Sequence, residues 1–162
     1  MAEVVASPMS VIAQQMDAVR DEFIAEVFEV MTAEIQGLNY DTPMLDLWRA
    51  SLTEGVVAGI EYLDLGTPAH SLEAPAASLA YARAAAQRDV PLSALVRAHR
   101  IAHSRFLEVA MRHISLVEPA QQVPTIIDLV NRSASFVDMV ADQLMGIDQR
   151  ADDGDRVDVE AG

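Results

Sequence analysis

The sequence contains no cysteine. Disulfides, thiol nucleophiles and cysteine-type zinc sites are therefore excluded. Lysine is absent too. The basic residues are all arginines, 11 of them against 25 aspartates and glutamates, which gives a formal net charge of −14. Nucleic acids and anionic membrane surfaces are bound by clustered cations, so neither is an expected partner of this segment. Aromatic residues make up only 5% of a chain that is 51% hydrophobic. A core so poor in rings must be built from Ala, Val, Leu, Ile and Met, which favours helix packed on helix over a β-sandwich. No apolar run approaches the roughly 18 residues of a membrane span. The opening MAEVVASPMS lacks the basic region of a secretory signal, and a cytoplasmic location is the expectation. At 162 residues the chain has the size of one domain with a real core.

The motifs of catalysis are missing as well. There is no GxGxxG, no GxxxxGK[ST], no GxSxG, no HExxH and no EF-hand loop. Glu22, Glu26 and Glu29, like Asp138 and Asp142, are spaced for solvated helix faces. Glu118 and Asp128 fall near helix starts, where a negative charge favours the helix dipole. No base, nucleophile or metal set converges. The chain is expected to be no enzyme and to carry no cofactor or metal.

What is present is helical periodicity, giving five long helices and one or two short turns. Residues 1–7 read as a flexible N-terminus, residues 8–149 as one helical domain, and residues 150–162 as a disordered acidic tail or linker. Ser7-Pro8 is a cap followed by a first-turn proline, predicting a helix from Pro8 to Gln36 ended by Gly37. It carries two apolar stripes: Ile12, Met16, Val19, Phe23, Val27 and Val30, then Ile24, Phe28, Met31 and Ile35. A helix apolar on two sides is either central in its domain or shared with a partner subunit. Asp41-Thr42-Pro43 predicts a second helix from Pro43 to Leu65, stopped by Gly66. Gly55 and Gly59 lie inside it, each costing about 1 kcal/mol against Ala. A close crossing by another helix is the expected compensation, and a cavity wall the alternative. GTPAHSLEAP reads as a loop with an exposed His70, followed by an alanine-rich helix from Pro75 to Arg88. Pro119 predicts a short turn and Pro124 a restart, with the last helix running to Gln149.

Val90–Ile114 organises the rest. Leu92, Leu95, Val96, Phe106, Leu107, Ala110, Met111 and Ile114 recur at helical spacing behind Pro91. His99 and His103 fall inside that apolar stripe, one turn apart, while Arg97, Ser104, Arg105, Glu108 and Arg112 project the other way. Two imidazoles on a core-facing helix are either hydrogen-bonded, half-polar core residues or the lining of a pocket. In the second case the occupant is a small molecule, a metal or a haem, with Trp48 and Phe106 as further candidate contacts. Trp48 reads equally as a core anchor.

The stretch RDVPLSALVRAHRIAHSRFLEVA, Arg88 to Ala110, resembles the signature helix of the N-terminal domains of PucR-type transcription regulators. It is similar also to the RsbRD N-terminal domain of stressosome-type proteins. Pro91, Leu92, Leu95, Arg97, Ala98, Arg100 and Phe106 match, whereas His99 stands where an aromatic is common and Ala102 where glycine is common. The resemblance implies a non-haem, globin-like or related helical sensory domain that forms a homodimer. It further implies that the dimer passes a signal to an output domain or regulatory protein. The outputs it implies, a helix-turn-helix or a STAS domain, do not occur in this sequence, so an isolated N-terminal domain or a stand-alone relative is expected.

Overall fold

The computed structural model describes residues 6–35 and 40–160. Its helices are α1 (Pro8–Ala18), α2 (Arg20–Glu34), α3 (Thr42–Leu65), α4 (Ala76–Gln87), α5 (Leu92–Arg112) and α6 (Pro119–Glu160). Short 3-10 turns at Ala69–Ser71 and Ile114–Leu116 lie between α3 and α4 and between α5 and α6. Among the described residues there is no strand, and the fold class is all-α, as expected.

Small polar residues set two of the helix starts. Ser7 accepts the Ser10 N–H at 3.1 Å, and Asp41 accepts the Met44 N–H at 3.0 Å, each with a proline in the first turn behind it. Gly66, at φ 66°, ends α3 in the left-handed conformation that glycine adopts without strain. Arg132 of α6 closes the same end. Its Nη2 donates to the carbonyls of Tyr62 at 2.9 Å and Thr67 at 3.2 Å, and its guanidinium lies 4.5 Å over the Tyr62 ring.

Four expectations are corrected. The single first helix is two, because Val19 leaves helical geometry at φ −105° and ψ 10°. No proline or glycine marks that bend in the sequence. It brings Met9, Ile12, Ala13 and Met16 of α1, and Phe23, Ile24, Val27 and Met31 of α2, into one buried core. Most of both stripes is thus covered within the chain, with Val19, Phe28 and Val30 half-buried. The end expected at Gln36 and Gly37 lies outside the described residues. The second correction is at Pro119 and Pro124, where α6 is continuous. Pro124 sits in its second turn and removes one helical N–H without interrupting it. Third, α6 runs on to Glu160, past the end expected near Gln149. Fourth, no close backbone crossing meets the two glycines of α3. A Cβ added at Gly55 would meet nothing within 4 Å, and the atom nearest to one at Gly59 belongs to the Phe136 ring of α6, at 3.6 Å.

The main core joins α1 to α5 around Ile12, Met16, Val27, Met31, Met44 and Ala85, with Leu129 supplied by α6. A smaller cluster of Ala74, Ala82, Val140, Leu144 and Ile147 seals α6 against α4. Leu95, Ala98 and Ala110 are the buried residues of α5.

Candidate functional site

The open space beside Gly55 belongs to a half-open cavity of about 120 Å³. Five helices wall it. Phe23 and Met31 come from α2, Trp48 to Leu63 from α3, and Ser78 and Tyr81 from α4. Leu95, Ala98, His99, Ala102, His103 and Phe106 come from α5, and Ser133, Phe136, Val137 and Val140 from α6. The lining is mostly hydrocarbon. Six of the eight aromatic residues in the chain are on it: Phe23, Trp48, Tyr62, Tyr81, Phe106 and Phe136. Trp48 and Tyr81 stack with centroids 6.3 Å apart and planes at 10°, and Phe23 meets Phe106 edge-on at 5.9 Å. Tyr81 is fixed from behind by a 2.7 Å hydrogen bond between its hydroxyl and that of Tyr40.

His99, His103, Trp48 and Phe106, the four residues singled out from the sequence, line this one cavity. His99 Nδ1 lies 2.8 Å from the Leu95 carbonyl one turn back. A carbonyl only accepts, so Nδ1 carries the proton and donates. Burial holds the pKa of this imidazole below its ordinary value, the Leu95 bond opposing the shift only in part. The ring is therefore neutral near pH 7, and Nε2 is left as an acceptor with no protein partner among the described residues.

His103 is held differently. Its Nε2 lies 2.9 Å from Ser133 Oγ, and Ser133 Oγ lies 3.2 Å from the Val130 carbonyl. Burial lowers its pKa, against the attraction of the Asp138 carboxylate. A serine, a histidine and a nearby carboxylate suggest a hydrolytic triad, but the parts are not arranged as one. Asp138 makes no hydrogen bond to the ring among the described residues. Ser133 sits in mid-helix, where the surrounding N–H groups are committed to helical bonds and none is free to hold an oxyanion.

Two further hydroxyls reach the lining. Ser51 of α3 and Ser78 of α4 are both buried, with their Oγ atoms 3.2 Å apart. Two hydroxyls sharing one bond leave a second proton to donate. Among the described residues no three His, Cys, Asp or Glu side chains gather to hold a metal. His99 Nε2 has the chemistry of an axial haem ligand, and the space beside it, about 120 Å³, is that of a single ring.

The remaining signature residues divide by face. Leu95 lines the cavity, Leu92 is half-buried, and Pro91, Arg97 and Arg100 are exposed. The glycines and the three serines were not singled out from the sequence as site residues. Gly55 and Gly59 carried the usable signal, two helix-weakening residues on one side of α3. The serines carried none, since lone serines are common on helices of every kind.

No described helix is long and apolar enough to cross a membrane. Comparison with the curated proteins and with the solved structures found no match to this chain. A family model does match, over residues 21–153, and it corresponds to the second of the two resemblances seen in Arg88–Ala110. This chain belongs to the family of the RsbT co-antagonist protein rsbRD N-terminal domain.

Proposed function

We propose that the chain is a non-catalytic sensory domain of the stress response that dimerises through α6 and passes the state of its cavity to an output domain or regulatory protein. The family supplies the regulatory class, and its description names RsbT as the protein antagonised. One observation carries the reading: α6 is at once a wall of the cavity and the bearer of an uncovered apolar stripe. Ser133, Phe136, Val137 and Val140 face the cavity. Val123, Ile127 and Val130 are 65%, 56% and 37% exposed and follow the four-then-three spacing of a helix pairing seam. Two copies meeting on this stripe would form a closed, two-fold interface. A ligand that shifts α6 would then shift the dimer's geometry, which is the differential interaction a switch requires.

Sedimentation across a concentration series tests this. The expected result is a dimer at micromolar concentration that Ile127→Asp converts to monomer with its helical circular dichroism intact. A chain that stays monomeric at high micromolar concentration overturns the proposal.

A further inference from the structure

We infer that the cavity binds a small uncharged aromatic molecule of single-ring size that carries one hydrogen-bond donor, received by His99 Nε2. The assignment rests on reading the cavity as the domain's sensor and goes on to name what it senses.

Gly55 gives the first argument. Inside a 24-residue helix, glycine is among the least stable choices, and here it makes room for no neighbouring backbone. What it leaves is volume inside the cavity. Ala98 and Ala102 face the same space from α5. A protein that only needed a core would fill that space with methyl groups, because an empty apolar cavity costs stability.

Size gives the second. An apolar cavity of about 150 Å³ in another protein binds benzene, and the present one, at about 120 Å³, is comparable. The rings on the wall offer flat faces and edges, which favour an aromatic guest in stacked or edge-on contact.

Polarity gives the third. No Asp, Glu, Lys or Arg is on the lining, so a charged guest would lose its hydration with no countercharge to replace it. The bond from Nδ1 to Leu95 fixes the ring's orientation and its tautomer, which aims a lone pair at the guest. An acceptor with no protein partner in a mostly apolar lining gains a bond from a phenol-type hydroxyl or an indole-type N–H.

Titrations of the full chain with phenol, benzene and benzoate, followed by amide chemical shifts, test the inference. Phenol is expected to bind about tenfold more tightly than benzene, and benzoate not measurably. His99→Leu should bring phenol down to the affinity of benzene while benzene still binds, which shows that the variant is folded. Gly55→Leu, which fills the open space, should abolish both. Gly55→Ala, which adds one methyl to space where nothing stands within 4 Å, should weaken both while its melting point rises slightly. Phenol binding no tighter than benzene, an unchanged phenol affinity in His99→Leu, or no binding of either neutral probe each overturns the inference. Sedimentation of the same samples separates this result from the sensory proposal. Phenol binding with an unaltered monomer–dimer equilibrium supports the ligand class and refutes the coupling. Dimers that bind no neutral probe refute the ligand class alone.

Discussion

A proton on His99 Nε2 would put a cation into an apolar cavity, and burial already holds that pKa down. His103 is depressed for the same reason, with Asp138 opposing. In the unfolded chain both rings take a proton near the ordinary value of about 6.5. The unfolded state therefore binds more protons than the folded state in the interval just below that value. Stability is complete above about pH 6.5, falls as pH drops through it, and levels off below the folded-state pKa. Asp41, held low by Arg88 and the Met44 N–H, acts only in the carboxylate range further down. Urea melts from pH 8 to 5 should thus show a loss of stability in the native chain and a smaller loss in His99→Gln. Equal slopes would mean that the ring is not held neutral. Gly55 bears on the same wall from the opposite side. Gly55→Ala should stabilise the fold by about 1 kcal/mol, raising the melting point by about 2–4 °C, because the methyl meets no atom. A destabilised Gly55→Ala would show instead that a close packing contact needs the glycine. The two imidazoles were legible in the sequence because they interrupt a strong period. The acceptor left on Nε2 was not, since it depends on which nitrogen finds the Leu95 carbonyl.

Helix starts were legible and helix breaks were not, for physical reasons. Ser7 and Asp41 announce themselves because a cap is a local bond to an N–H three residues on. The turn at Val19 has no local cause. It is set by where α1 and α2 must lie against α3 and α5, and both sides of it keep good helix formers. Pro124 misled in the reverse direction, because one missing N–H in the second turn of a 42-residue helix is a small loss beside the packing of the whole. That packing includes Arg132, which ties α6 to the end of α3. Replacing it with Ala removes two charge-assisted bonds to carbonyls and the stacking on Tyr62. A loss of about 2 kcal/mol is expected in denaturant melts. The carbonyls of Tyr62 and Thr67 should then exchange partners with water, so amide exchange in the last turn of α3 should quicken. A loss well under 0.5 kcal/mol, the ordinary range for a surface change, would place Arg132 among exposed, dispensable side chains.

The cavity belongs to no single element, so the period of α5 pointed to one wall of it and could not show its extent. Each helix contributes residues that read as ordinary core positions, and only the packing of five helices turns them into one lining. Occupancy then acts on the whole molecule. A guest at a hundred times its dissociation constant stabilises the folded chain by about 2.7 kcal/mol, which for a chain of this length raises the melting point by about 5–10 °C. Coupling to α6 makes a stricter demand. If phenol shifts the dimer equilibrium by some factor per bound ligand, dimerisation must shift phenol affinity by that same factor, because the two binding free energies close one cycle. Phenol affinity measured well below and well above the dimer dissociation constant should therefore differ by the factor read from sedimentation with and without phenol. Ile127→Asp, being monomeric, should show a single phenol affinity at every protein concentration, equal to that of the dilute native chain. A variant that behaves like the concentrated native chain would show that the stripe of α6 and the wall of α6 do not communicate.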